Sequence, residues 1–137
     1  AEAKQLLAEA DFVCIVVPLS DATRKLIGER ELKLMKPSAF LINIARASVV
    51  STVDLVSALE QRRIAGAALD VFDHEPQVPD SLKVLSNVVL TPHVAGLSPE
   101  ATQGTVELVG RNLTAFFSGQ PVITPIQLPT SETKAFL

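Results

Sequence analysis

Four short, nearly unbroken apolar runs constrain this chain more than any other feature. They are Phe12-Val13-Cys14-Ile15-Val16-Val17, Ala39-Phe40-Leu41-Ile42-Asn43-Ile44, Gly66-Ala67-Ala68-Leu69-Asp70-Val71 and Asn87-Val88-Val89-Leu90-Thr91. Runs of this length without polar alternation are the pattern of strands buried on both faces, as in parallel sheets. Helical segments separate them. Ala3, Leu6 and Leu7 mark the last turns of a helix over 3–9, and residues 23–35 carry a short helical segment ending near Lys36-Pro37. Ser51 is placed to cap a helix over 52–63, with Asp54 at the reciprocal capping-box position and Val53, Val56 and Leu59 as its apolar stripe.

Beyond the third run, Pro76 and Pro79 make 73–86 mostly loop, with one turn over 80–85. Ser98-Pro99-Glu100 combines a cap, a first-turn proline and an acid near the positive end of the helix dipole. The helix it starts should run to Ser118 and stop at Gly119, burying Val106, Val109, Leu113 and Phe116. Pro121, Pro125 and Pro129 then punctuate an extended tail over 121–137. Strands alternating with helices imply right-handed crossovers. The expected fold is α/β, a partial doubly wound (Rossmann-like) parallel sheet of about four strands with flanking helices, in a unit covering 1–120.

Composition narrows the function. The 137 residues are one domain's worth of chain, and a net charge of -3 gives no basic face for nucleic acid or an anionic membrane. Six Phe with no Tyr or Trp offer no base-stacking platform. No apolar stretch approaches the roughly 20 residues of a membrane span, and nothing resembles a signal peptide, so a cytoplasmic protein is expected. Cys14, the single cysteine, is expected in the core, and no Cys/His cluster has metal-ligand spacing. The chain opens Ala1-Glu2-Ala3-Lys4 without an initiator methionine, which reads as the back half of something longer.

Three segments that follow strands carry chemistry. Ile42-Asn43-Ile44-Ala45-Arg46 delivers an arginine, Asp70-Val71-Phe72-Asp73-His74-Glu75-Pro76 delivers carboxylates, and Leu90-Thr91-Pro92-His93-Val94-Ala95-Gly96 delivers a histidine. If the strands are parallel, Arg46, Glu75 and His93 emerge at one edge of one sheet, where ligands of doubly wound folds bind. Singly, Arg46 reads as a surface charge, Asp70 as a helix cap, Glu75 as a solvated loop acid and His93 as a hydrogen-bonded core histidine. Their joint placement points to a site. His74 reads as a loop residue, and Ser48 and Ser51 suggest no hydrolase because no G-x-S-x-G elbow exists.

In order and at compatible spacing, Asn43-Ile44-Ala45-Arg46, Asp70-Val71-Phe72-Asp73-His74-Glu75-Pro76 and Thr91-Pro92-His93-Val94-Ala95-Gly96 resemble the D-isomer-specific 2-hydroxyacid dehydrogenases. The likeness extends over roughly residues 5 to 126, including Val17-Pro18-Leu19 followed by Thr23, and Pro121-Val122. It implies an oxidoreductase that interconverts a 2-hydroxy acid and a 2-keto acid by hydride transfer. His93 would be the general acid/base, Glu75 its partner and Arg46 the anchor of the substrate carboxylate. Asp70 would lie near the nicotinamide end of the cofactor. Val17, Pro18, Thr23, Ile44, Ala45, Arg46, His93, Ala95 and Gly96 would complete the dinucleotide site. The residue types suit the task. A guanidinium fork binds two carboxylate oxygens, a histidine exchanges protons near neutral pH, and a neighbouring carboxylate raises its pKa and selects its tautomer.

Two positions depart from the family pattern: Ala47 stands where glycine usually follows the arginine, and Ser51 where an acid is common. The six glycines never form G-x-G-x-x-G, so the pyrophosphate cradle and the ribose-reading acid should precede residue 1. The implied cofactor is NAD, with NADP left open because that acid is not in this chain. The tail 121–137 would return to a substrate domain absent here, and the isolated chain is expected to be inactive. The strand at 12–17 would present an unpaired edge, to be met by the missing N-terminal half or by a second copy in a homo-oligomer. The competing reading is a non-catalytic module of the same fold that senses a dinucleotide or scaffolds a partner.

Overall fold

The computed structural model describes residues 2–126. The first helix, α1 (Glu2–Glu9), leads into β1 (Phe12–Ile15), and the short α2 (Glu29–Leu32) precedes β2 (Phe40–Asn43). A 3-10 turn (Ala47–Val49) and α3 (Thr52–Glu60) connect to β3 (Gly66–Leu69); α4 (Asp80–Lys83), β4 (Val88–Leu90) and α5 (Pro99–Phe117) follow. All strand pairs are parallel and the sheet order is β1-β2-β3-β4, so β1 lies at one edge. The register aligns Phe12 with Phe40 and Phe40 with Gly66, while Leu41 pairs with Ala67 and Ala67 with Val88. This is the α/β parallel sheet that the strand–helix alternation implies. The chain divides into two compact units, residues 1–95 and the residues from 96 on.

In the first unit, period-two alternation sends Val13, Ile15, Leu41, Asn43, Ala67 and Leu69 to one face of the sheet. Leu32 of α2, Val49, Leu55 and Leu59 of α3, Ile64 and Leu82 of α4 close over that face to form the core. Each fully buried leucine there stabilises the fold by roughly 1.5–3 kcal/mol. The opposite face is largely exposed or half-buried. Phe12 is 67% exposed and Val89 63%, and Phe12 stacks on Phe40 with centroids 5.6 Å apart. Among the described residues the apolar runs therefore do not mark burial on both faces. Cys14, expected in the core, shares the opposite face with Phe12 and is exposed.

The elements are shorter than the sequence suggests. Val16 and Val17 leave β1 before Pro18, and residues 23–35 yield only the single turn of α2, because Ile27 instead bridges to Val50 in extended pairing. Ser51 is the N-cap of α3 but its side chain caps nothing, and Asp54 accepts the Glu29 N–H at 3.2 Å in place of closing a capping box. The buried stripe of α3 is Leu55, Ala58 and Leu59, with Val53 79% exposed. Ser98 does cap α5, its Oγ accepting the Ala101 N–H at 3.1 Å, and Gly119 with φ +68° follows the helix end. No residue of α5 is buried, so Val106, Val109, Leu113 and Phe116 are not the covered stripe their spacing suggests. Of the expected tail, 121–126 carries no helix or strand; 127–137, with Pro129, lies outside the described residues.

Candidate active site

Each candidate residue stands where a parallel strand ends. At the end of β2, Asn43 is 1% exposed and organises the turn that follows: its Oδ1 accepts the Ala45 N–H and its Nδ2 donates to the Arg46 carbonyl, both at 3.1 Å. The Arg46 carbonyl also accepts the Val49 N–H at 3.2 Å, starting the 3-10 turn. Lys25 N–H to the Ser48 carbonyl (2.8 Å) and Ile27 N–H to the Val49 carbonyl (3.1 Å) dock that turn from one side. Arg46 itself is exposed, with Nη1 donating to the Ala45 carbonyl at 2.7 Å.

The ends of β3 and β4 are fastened by one buried carboxylate. Asp70, 3% exposed, accepts the Thr91 hydroxyl and the Val94 N–H (2.9 Å) on Oδ1 and the Ala95 N–H (2.9 Å) on Oδ2. Burial pushes the Asp70 carboxyl up. The bonds from Thr91, Ala95 and Val94, with the charge of His93, outweigh burial and hold it below its ordinary value. The turn so held carries His93 at φ +56°, a left-handed conformation that costs of the order of 1 kcal/mol for a side chain with a Cβ. The two N–H groups that follow His93 are the ones Asp70 accepts, so the clasp sustains this conformation.

Between them, residues 72–76 bring a second carboxylate to the histidine. Glu75 Oε1 accepts the Phe72 N–H at 2.9 Å and Oε2 lies 2.8 Å from His93 Nδ1; the Glu75–Pro76 peptide is cis. The bond with His93 first, then that from Phe72, lowers the Glu75 carboxyl against the opposing effect of burial. An ionised carboxylate can only accept, so this hydrogen bond requires the proton on His93 Nδ1 and leaves Nε2 outside the pair. The His93 side chain remains 47% exposed. A cavity of about 120 Å³ beside the pair is lined by Phe72, Glu75, Pro76, Val78, Pro92 and His93.

A larger open cleft of about 540 Å³ runs along the carboxyl ends of β1 and β2, lined by Val16, Val17, Pro18, Leu19, Ile44, Ala45 and Arg46. Thr23 shapes its rim by donating its hydroxyl to the Pro18 carbonyl at 2.7 Å. The cleft's lining side chains are apolar apart from Arg46, whose guanidinium suits an anion. His93, Glu75 and Asp70 thus form one connected group with Ala95; Arg46 lies at the neighbouring strand end and hydrogen-bonds to none of them. Gly96 opens the second unit, and a Cβ there would meet nothing within 4 Å. His74 closes a loop turn through its carbonyl, accepting the Gln77 N–H at 2.9 Å. Three residues that shape the site carry no assignment from sequence: Asn43, Thr91 and Asp73, whose two oxygens accept the hydroxyls of Ser48 (3.0 Å) and Thr52 (3.1 Å). A polar residue inside an apolar run was the available signal for Asn43; Asp73 offered none.

Comparison with known proteins agrees with this fold. Residues 1–95 match the family model described as D-isomer specific 2-hydroxyacid dehydrogenase, NAD binding domain. The chain is 52% identical over 117 residues to a glyoxylate reductase of Thermococcus gammatolerans, covering 85% of this chain and 35% of that protein. A glyoxylate reductase of Pyrococcus furiosus is 50% identical with the same coverage. The chain therefore spans about a third of the length of the curated relatives it matches. Among solved structures, an NADPH-dependent glyoxylate/hydroxypyruvate reductase of Sinorhizobium meliloti in complex with NADP and malonate superposes with a TM-score of 0.81 at 37% identity, covering 96% of this chain and 40% of that one. The holo form of D-mandelate dehydrogenase from Rhodotorula graminis gives 0.85 at 33% identity, covering 92% and 37%.

Proposed function

The chain belongs to the D-isomer specific 2-hydroxyacid dehydrogenase family, through that family's NAD binding domain, and on this basis we propose that it is part of an NAD(P)-dependent oxidoreductase interconverting a small 2-keto acid and its 2-hydroxy acid. The observation that carries the proposal is the 2.8 Å contact between His93 Nδ1 and Glu75 Oε2, at the strand edge where Arg46 also stands. Glyoxylate is the first substrate to test, because the relatives named above are glyoxylate reductases. When bound, the nicotinamide dinucleotide supplies the hydride in reduction and takes it in oxidation.

In reduction, the Arg46 fork binds the two carboxylate oxygens of the keto acid. The carbonyl carbon gains the hydride, and its oxygen takes a proton from His93 Nε2. His93 ends neutral, with Nδ1–H still donated to Glu75, and oxidation returns the proton by the same route. Glu75 holds the ring in the tautomer that leaves Nε2 outside the pair. The residues that would hold the dinucleotide are Val17, Pro18, Ile44, Ala45 and Arg46 along the open cleft, with Thr23 fixing the turn at Pro18, and Asp70, His93, Ala95 and Gly96 at the reacting end. Asp70 would contribute through the turn it clasps, since both its oxygens are already engaged.

Residues 1–120 would form the C-terminal half of the dinucleotide domain, and 121–137 would return toward a substrate domain elsewhere in a longer polypeptide. Coverage of only 35% of the relatives supports this, and with it the inactivity of the 137 residues alone. The edge strand β1 would pair with the missing half or with a second copy, in a cytoplasmic protein. The test is steady-state reduction of glyoxylate and hydroxypyruvate by the complete polypeptide with NADH and NADPH, beside His93→Ala. Turnover in the parent, lost in a folded His93→Ala protein, supports the proposal. No turnover in the folded, complete parent overturns it and favours a sensing or scaffolding module, and turnover unchanged by His93→Ala overturns the role given to His93.

A further inference from the structure

We propose that Asp73 is a positioning residue that sets the spacing between the arginine turn and the glutamate loop. The inference rests on reading Arg46 as the substrate-carboxylate anchor. Asp73 lies two residues before Glu75, and its oxygens are divided between two hydroxyls on the far side of the site. Oδ1 accepts Ser48 Oγ at 3.0 Å and Oδ2 accepts Thr52 Oγ1 at 3.1 Å. Ser48 lies inside the 3-10 turn that begins directly after Arg46, and Thr52 is the first residue of α3. Among the described residues these are the only hydrogen bonds joining 44–60 to 71–79.

Apart from the Asp70 N–H to Asn43 carbonyl bond (3.0 Å) that joins the ends of β2 and β3, the hydrogen bonds of the scaffold hold each loop separately. Backbone bonds from Lys25 and Ile27 secure the arginine turn against the segment before α2. Phe72 N–H and His93 Nδ1 secure Glu75. Neither set fixes the arginine turn relative to Glu75 and the histidine it orients. Asp73 does, through two charge-assisted bonds that constrain both distance and rotation. A keto acid must meet the guanidinium with its carboxylate and Nε2 with its carbonyl oxygen at once. Small errors in loop spacing therefore weaken ground-state binding of the carboxylate first.

The test compares the complete polypeptide with Asp73→Ala, Asp73→Asn and the double variant Ser48→Ala/Thr52→Val, with glyoxylate as the probe. Asp73→Ala is expected to raise KM for glyoxylate about tenfold, while KM for the reduced dinucleotide stays within about twofold. Asp73→Asn keeps an acceptor for one hydroxyl and should fall between. The double variant should match Asp73→Ala, and combining all three changes should add nothing further, because they remove the same bonds. Backbone hydrogen exchange over 46–50 should accelerate in every variant that loses the clasp. A fall in melting temperature with KM and exchange over 46–50 unchanged overturns the proposal and leaves Asp73 a stability residue. If the parent reduces no 2-keto acid yet Asp73→Ala still deprotects 46–50, the clasp stands and the oxidoreductase reading falls.

Discussion

Glu75 Oε2 lies 2.8 Å from His93 Nδ1, 18 positions further along the sequence, and the other oxygen of the same carboxylate is fixed by the Phe72 N–H. A carboxylate held at both oxygens is restrained from swinging away from the ring, which fixes the orientation of the imidazole. Glu75→Gln preserves shape and one acceptor but replaces the other carboxylate oxygen by an NH₂, so the bond no longer selects one tautomer of the ring. We expect kcat for glyoxylate reduction by the complete polypeptide to fall roughly 10- to 100-fold, with KM changed much less. Equal kcat in the two proteins would remove Glu75 from the mechanism.

The same contact makes a statement about pH. His93 above all, and then the Phe72 N–H, lower the Glu75 carboxyl below its ordinary value. A lowered carboxyl contributes stability that is present above its unfolded value, about 4.3, and that is lost as pH falls through the lower folded value. The pair should therefore survive acidification through the ordinary carboxylate range and open only below it. Carbon-detected NMR titration of Glu75 should show this in the parent, and His93→Asn should move the titration upward. An unmoved titration would place the cause elsewhere.

Asp70 tests how the His93 turn is maintained. Its Oδ2 accepts the Ala95 N–H and its Oδ1 the Val94 N–H, in a site 3% exposed. In Asp70→Asn one side-chain oxygen becomes an NH₂ that must oppose a main-chain N–H. Leaving a buried donor unmatched costs about 1–3 kcal/mol. Denaturant unfolding should register a loss of about 2 kcal/mol, and amide exchange at 93–95 should quicken more than that in the strands. Unchanged exchange there would mean that Asp70 does not hold the turn.

How much of this was readable beforehand follows from how far each interaction reaches along the chain. The parallel strands were legible because apolar runs and the helices between them are local, and Ser98 as a cap because its partner, Ala101, lies three residues on. The trio at the strand ends followed from topology and motif together. Cys14 misled because an apolar run does not reveal which face the chain's own helices will cover. Asp54 misled because its partner, Glu29, lies 25 residues away, where no capping pattern can register it. Asp73 gave no signal for the same reason, with its hydroxyl partners 21 and 25 residues back.

At Gly66 a neighbouring backbone carbonyl and an aromatic ring approach too closely to leave room for a Cβ. Gly66 pairs with Phe40 at the start of β3, and a Cβ built there would sit 2.6 Å from the Asn87 carbonyl oxygen and 3.1 Å from the Phe40 ring. The ring can turn slightly, because Phe40 is 41% exposed. The carbonyl cannot, since it accepts the Ala67 N–H at 3.1 Å as part of the β3–β4 junction. Gly66→Ala must therefore push β3 and β4 apart at the end remote from His93. Overpacking of this kind costs about 1–3 kcal/mol, which exceeds what alanine gains over glycine in the unfolded chain. We expect a lower unfolding midpoint with the His93–Glu75 contact intact, because the displaced backbone lies at the opposite end of the strands. A midpoint at or above that of the parent would show that the β3–β4 junction yields more readily than its hydrogen bonding implies.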